Sequence, residues 1–408
     1  MSKRLVSLIS SFGKIFTAIS VISVFSLPAV AHALSPGDVS AWQTSTALPT
    51  ETFTASGAVF NGYIYNIDGT TNAGDTKSVT YAKLNANGSV GAWTTSGNDL
   101  PNTFHRATTV AYNGFLYVVG GYNGVQFDTV YYAQLDTANG SVGAWNTTTT
   151  LPVPNQSEAV VVNHGFMYVT GGGNAAAGGN INSVYYAPIN ANGTLGAWVT
   201  SPNTLPQKIR RIGGNVYNNF VYITGGITTS NTQSDTVYYA PLNPDGSVGA
   251  WVTSTNVLPT AVWDATSVIN NGFIYNIGGN SASGNINNAY YAPLNPDGSV
   301  GSWLSATNPL PDSVNGSVGF AYNNFIYNIG GQSTLLGNLS TVYYAALTPK
   351  PIVPVTTSSN AAVSQQSPNT GFAKVNNHND LLPLAATFSI AGIITFCGYK
   401  FSTKKYKQ

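Results

Sequence analysis

Charge is scarce in this chain: only 7% of its 408 residues are Asp, Glu, Lys or Arg, with 15 basic and 14 acidic side chains in all. The basic ones gather at the two ends. Between Leu34 and Gln366 there are seven (Lys77, Lys83, Arg106, Lys208, Arg210, Arg211 and Lys350) against thirteen acidic residues, a net charge of −6. A weakly acidic body rich in Asn, Thr, Ser and Gly has no basic stripe with which to displace counterions, which excludes nucleic acid as a partner. Cysteine is almost absent. Cys397 is the only one, inside an apolar run near the carboxy terminus, so the body has no disulfide and rests on burial alone, for which its length suffices. Two histidines, His105 and His164, fall in the body; they are expected on opposite faces, where they cannot share a metal, and no cofactor is called for.

What the ends contain is topogenic. Residues 1–33 begin with Lys3, Arg4 and Lys14, continue through an apolar stretch from Ile15 to Val30 and end on Ala31-His32-Ala33. Basic, apolar and small-x-small segments in that order read as a signal peptide, a substrate of signal peptidase. Residues 381–399 are nineteen positions without a charge, followed at once by Lys400, Lys404, Lys405 and Lys407. Such a run is long enough to be a transmembrane helix. Cations directly after a span stay in the cytoplasm, so residues 400–408 are expected to be a cytoplasmic tail and everything before the span to lie outside. Residues 350–380 read as a flexible linker. Within it Ser367-Pro368-Asn369-Thr370-Gly371 resembles the Leu-Pro-x-Thr-Gly sorting signal of Gram-positive-type surface proteins, with Ser367 where that family has leucine. The resemblance implies a sortase that cuts between Thr370 and Gly371 and joins Thr370 to the cell wall. A plain membrane anchor is the alternative, and both put the body at the cell surface.

Residues 34–349 are a repeat. Trp42, Trp93, Trp145, Trp198, Trp251 and Trp303 fall 51, 52, 53, 53 and 52 residues apart, the length of one four-stranded propeller blade. Each unit has a Leu-Pro pair, ending on Pro49, Pro101, Pro152, Pro206, Pro259 or Pro311, and twelve residues later a turn residue: Asn61, Asn113, His164, Asn218, Asn271 or Asn323. Asn-Gly or Asn-Asn between apolar strands predicts a hairpin, because both residues tolerate positive φ. An aromatic strand ending in glycine follows, as in Phe115-Leu116-Tyr117-Val118-Val119-Gly120-Gly121. After a polar loop of variable length comes a Tyr-rich strand such as Val237 to Leu242, then a tight turn and a fourth strand around the tryptophan.

A strand bearing Tyr and Gly-Gly, then a Tyr strand and a Trp, resembles the kelch motif over about residues 37–349. The first unit departs modestly, with Asp68-Gly69 for Gly-Gly and Thr80-Tyr81 for Tyr-Tyr. The resemblance implies an all-β, six-bladed propeller of four-stranded antiparallel blades. The array starts with a tryptophan strand and ends with a tyrosine strand, so the amino-terminal strand is expected to pair in the last blade and close the ring, hiding both edges.

Repeated residues read as blade packing; differences between units point to function. The fourth and fifth residues after each Leu-Pro proline are Phe53 and Thr54, His105 and Arg106, Gln156 and Ser157, Arg210 and Arg211, Trp263 and Asp264, Asn315 and Gly316. They include every arginine of the body and its only tryptophan outside the series, and Glu158 lies one position further on. This segment leads from the outer strand of one blade to the innermost strand of the next, so it approaches the channel mouth. His105, Arg106, Gln156, Glu158, Arg210, Arg211, Trp263 and Asp264 there suit a polar ligand with an anionic group, which arginine binds bidentately while Trp263 stacks on a sugar face. Glu158 and Asp264 could instead simply neutralise Arg211 or Arg106. No catalytic set is evident, and the reading is a non-catalytic surface module for a glycan or partner protein. Two alternatives stand beside it. One is a carbohydrate-active enzyme resembling the kelch propellers that epimerise sialic acid, with Glu158 as base and Arg211 as carboxylate clamp; the other is a coat or spacer protein without a ligand.

Overall fold

The structure is a computed structural model that describes residues 34–349. The expected signal peptide 1–33, linker 350–380 with Ser367 to Gly371, membrane span 381–399 and tail 400–408 lie outside the described residues. Among the described residues the chain is all-β, and no helix is long and apolar enough to cross a membrane.

Six four-stranded antiparallel sheets carry the fold, giving it a propeller-like architecture. Sheet 3 is representative, with strands Ala159–Asn163, Phe166–Thr170, Val184–Pro188 and Val199–Thr200 in that spatial order. The first strands of sheets 1, 2, 4, 5 and 6 are Ser56–Phe60, Thr108–Tyr112, Gly213–Tyr217, Thr266–Asn270 and Val318–Tyr322. Each first strand neighbours that of the next sheet, and the one in sheet 6 neighbours the one in sheet 1. In sheet 6 the fourth strand is Gln43–Thr44, paired with Tyr344 and Tyr343.

Local chemistry accounts for these elements. All six turns between first and second strands hold two consecutive residues at positive φ, such as Asn113 at 48° and Gly114 at 80°, or Asn218 at 47° and Asn219 at 62°. That is the twist-matched two-residue hairpin expected from Asn-Gly. The second strands are the most buried: Tyr65, Tyr117, Tyr168, Tyr222, Tyr275 and Tyr327 have at most 1% of their surface exposed. Apolar clusters form between neighbouring sheets, as where Tyr117 and Val119 meet Val160, Val162 and Met167, or where Val59 and Ile64 of sheet 1 meet Phe320 and Tyr327 of sheet 6.

All six repeat tryptophans join units, and only Trp93 also lies within a strand. Each indole Nε1 donates to a backbone carbonyl in the preceding unit: Trp93 to Thr46, Trp145 to Asn98, Trp198 to Thr149, Trp251 to Asn203 and Trp303 to Asn256, at 2.9 to 3.3 Å. Trp42 donates to Asn308, 266 residues later, at 3.1 Å. The expectation of a fourth strand around the tryptophan is corrected accordingly. Except in sheet 1, the fourth strand is a two-residue exposed fragment that begins after it, as at Val252–Thr253 following Trp251.

The glycine pairs serve close approach between units. The N–H of Gly69, Gly121, Gly172, Gly226, Gly279 and Gly331 donates to the carbonyl of Phe104, Asn155, Ile209, Val262, Val314 and Thr52 in the next unit, at 2.7 to 3.1 Å. At Gly172, with φ +106°, an added Cβ would stand 2.1 Å from Asn155 Oδ1. The polar segments after these pairs vary in length, and four of them contain short hairpins ending in Gly-Asp or Gly-Asn, at Gly74–Asp75, Gly179–Asn180, Gly284–Asn285 and Gly337–Asn338.

Candidate functional site

The fifth position after each Leu-Pro proline builds a ring. Thr54, Arg106, Ser157, Arg211, Asp264 and Gly316 all have positive φ, between 50° and 61°. This conformation turns each peptide sideways. Arg106 N–H donates to Thr54 O, Ser157 to Arg106, Arg211 to Ser157, Asp264 to Arg211, Gly316 to Asp264 and Thr54 back to Gly316, at 2.8 to 3.3 Å. Five of the six are non-glycine residues, for which the left-handed region is unfavourable, and β-branched Thr54 is a genuine outlier. Strain of this kind concentrates where surroundings over-determine the backbone, and six mutual hydrogen bonds do so here.

The fourth position has a different neighbour. Phe53, His105, Gln156, Arg210, Trp263 and Asn315 each pair by backbone with the residue directly after their own unit's glycine pair, Thr70, Tyr122, Gly173, Ile227, Asn280 and Gln332. Adjacent residues therefore part company, the fifth joining the central ring and the fourth joining the surrounding hairpins. The eight residues singled out by sequence consequently do not form one site.

Arg106, Arg211, Asp264 and Glu158 line a cavity of about 210 Å³ at the ring, together with Thr54, Ser157 and Gly316. Asp264 sits between the two arginines, 3.2 Å from Arg211 Nη1 and 3.8 Å from Arg106 Nη1. All three side chains are at most 16% exposed. Two guanidinium groups against one carboxylate leave a surplus positive charge in a largely buried place. Burial lowers the Arg211 pKa to about 10, Asp264 opposing and Arg106 and Arg210 adding to that shift. Trp263 stacks on Arg211, whose guanidinium carbon is 4.2 Å from the ring centroid, so the indole face expected for a sugar is already covered by a cation.

Above the ring these groups open into a bowl of about 600 Å³. Phe53, Arg106, Arg211 and Trp263 share it with the amides Asn280, Asn285, Asn315 and Gln332 and the hairpin residues Ser333, Thr334 and Gly337. These amides and hairpins were missed from the sequence. The signal that marks the two hairpins of the bowl is the Gly-Asn pair that closes each, Gly284–Asn285 and Gly337–Asn338.

Gln156 and Arg210 line a separate groove. His105 belongs to neither cavity: its Nδ1 lies 2.9 Å from Asp75 Oδ2 in the preceding unit, and its ring stands edge-on to Tyr122. Of the two acids expected to neutralise arginine, Asp264 does so and Glu158 does not. Glu158 is 3% exposed, neither of its oxygens has a hydrogen-bond partner, and burial pushes its pKa up to about 8. Its Oε1 packs against Gly120 instead, 2.7 Å from where a Cβ would stand there. Among the described residues no group of three or more His, Cys, Asp or Glu is placed to hold a metal.

No protein-family model matches the chain, and no curated protein does. Among solved structures it is similar to the structure of YjhT, at 16% sequence identity and a TM-score of 0.59, over 73% of this chain and 95% of that one. At that identity the likeness concerns the fold alone.

Proposed function

We propose that residues 34–349 form a six-bladed kelch-type propeller closed by the Trp42 strand, displayed outside the cell by the carboxy-terminal segment, and that its ring face is a non-catalytic module for binding a glycan. The bowl carries this reading. A concavity of about 600 Å³ is in the range of small-ligand sites. Its amides are held at fixed positions, Asn280 donating to Asn285 Oδ1 at 2.7 Å and Asn285 to Gln332 O at 2.8 Å, and their remaining donors and acceptors suit a hydroxyl-rich ligand, while Phe53 supplies an apolar wall. The surplus charge of Arg106 and Arg211 over Asp264 favours an anionic group. A concave, amide-lined bowl fits an oligosaccharide better than the flat face of a partner protein. The two rings of backbone bonds and the ring of indole bonds each return to their starting unit, which supports the closed form.

The enzymatic alternative rests on Glu158, a carboxyl poised near neutral pH beside the ring cavity. Its packing against Gly120 and the absence of a hydrogen bond or ion pair between it and Arg211 favour the binding reading. The test is binding of the purified full chain in detergent to an array of neutral and acidic oligosaccharides, repeated with Arg211→Gln and Trp263→Ala. Acidic ligands are expected to bind the wild type, to lose about tenfold or more in affinity with Arg211→Gln, and to lose less with Trp263→Ala, which only removes the ring on which Arg211 is stacked. Binding indifferent to both substitutions would place the site elsewhere, and turnover of a bound glycan would overturn the non-catalytic reading.

A further inference from the structure

Beside the bowl, Gln126, Gln156, Asn174, Asn180, Arg210 and Asn231 line a groove of about 260 Å³ built by three consecutive units. We propose that this groove is a second anion subsite, which takes another acidic sugar unit of the same chain, so that the ligand of the face is a polyanionic glycan with repeated carboxylate or sulfate groups. The inference rests on the glycan-binding reading of the bowl.

Arg210 carries it. Its Nε donates to Asn180 Oδ1 at 2.8 Å, and Asn180 is itself buried and fixed by donating to Ile227 O at 2.7 Å. The aliphatic stem packs on Gly173, where an added Cβ would lie 3.1 Å from Arg210 Cδ. One edge of the guanidinium is thus anchored. Its two Nη groups make no hydrogen bond and no ion pair among the described residues, whereas Arg106 and Arg211 share Asp264. The partly buried cation therefore has no ion-pair partner within contact, and burial, with Arg106 adding and the more distant Asp264 opposing, lowers its pKa. A planar oxyanion meeting the Nη groups would make the paired bonds that arginine favours.

The rest of the groove specifies a sugar. Its side chains are amides that both donate and accept, matching hydroxyls. No aromatic ring lines it, which disfavours a nucleobase or an aromatic side chain as the occupant. Gly178 and Gly179 leave the rim open, with nothing within 4 Å of where a Cβ would stand. Because Arg210 and Arg211 are consecutive yet enter different cavities, one chain crossing the face can meet both.

The probes are uronate oligosaccharides from monomer to hexamer, a sulfated series of the same lengths and neutral counterparts, titrated against the full chain in detergent. The hexamer is expected to bind more tightly than the monomer. Arg210→Gln should weaken hexamer binding about tenfold and leave the monomer unchanged, while Arg211→Gln weakens both. Arg210→Lys, which keeps the charge but not the fork, should fall between, and the two acidic series show which anion is preferred. A hexamer affinity unmoved by Arg210→Gln but reduced by Arg211→Gln overturns the groove and spares the bowl. Absence of acidic-oligosaccharide binding, or binding that ignores both arginines, overturns both. Thermal melting of each variant separates a lost subsite from a lost fold.

Discussion

Glu158 should make the stability of this protein fall as pH rises through neutrality, and replacing it should remove its share of that fall, leaving the part due to buried Asp68, whose pKa burial also raises. The carboxyl is 3% exposed, has no hydrogen-bond partner and has its pKa raised by burial from 4.5 to about 8. Between those values the folded chain holds a proton that the unfolded chain has released, so the slope of stability against pH is negative in that window. Each pH unit is worth up to about 1.4 kcal/mol, and at pH 7 some 2.5 units have accrued, about 3 kcal/mol. Below about pH 4.5 both states are protonated and the penalty is absent; above about pH 8 it no longer grows. Glu158→Gln keeps the shape and removes the titration. At pH 7 the variant should be more stable by about 3 kcal/mol, or about 4 °C in melting temperature for a domain of this size, and at pH 5 by less than about 1 kcal/mol. The buried amide has its own unmet hydrogen bonds, but that cost does not vary with pH, so the difference in slope is the signal. Denaturant unfolding of both proteins at half-unit steps from pH 5 to 8.5 reads it. Parallel profiles would refute the reasoning, because they would mean that the carboxylate ionises at no cost by reaching water or a cation.

Two further outcomes follow from the inter-unit bonds. Deleting residues 36–46 removes the Gln43–Thr44 strand and the Trp42 bond to Asn308, and should collapse the melting transition of the whole domain; a truncated chain that melts like the intact one would show that sheet 6 does not depend on its amino-terminal strand. Gly172→Ala combines φ +106° with a contact of 2.1 Å from its Cβ to Asn155 and should cost about 3 kcal/mol or more, whereas Gly178→Ala, equally left-handed at +81° but in open space, should cost only about 1 kcal/mol; equal losses by calorimetry would mean that backbone strain, not close approach, sets the glycine requirement.

Spacing marked the repeat units and the Asn-Gly hairpins, and the order of strand types at the two ends of the array pointed to the pairing of the Gln43–Thr44 strand, because each depends on a residue type whose chemistry is visible in one letter. The ring was not legible, since Thr54, Arg106, Ser157 and Arg211 are not residue types that announce positive φ. One letter could have found it: Gly316 stands in the same column. Glu158 could have been recognised in the same way, as its counterparts are Ala55, Ala107, Ile212, Ala265 and Ser317, a column of small or apolar residues that marks a buried position. Grouping Arg210 with Arg211 went wrong for a geometric reason. The backbone enters a left-handed turn between them, which sends neighbours in sequence to different cavities.

The ring also explains why the units diverge where they do. A tryptophan indole supplies its own donor to the joint between units, and the glycine pairs are needed for the absence of a side chain. In the central ring every bond runs from backbone N–H to backbone O, so the fold asks nothing of the side chains at the fifth position. If the ring alone mattered, glycine would serve it best at all six places, because each non-glycine residue held there costs about 1–2 kcal/mol. Glycine occupies one. The other five places hold two arginines, an aspartate, a serine and a threonine, and the charged three meet across the cavity at 3.2 and 3.8 Å. A strained backbone that carries a converging charged set at the centre of a rigid scaffold is better accounted for by what those side chains touch than by the ring they cap.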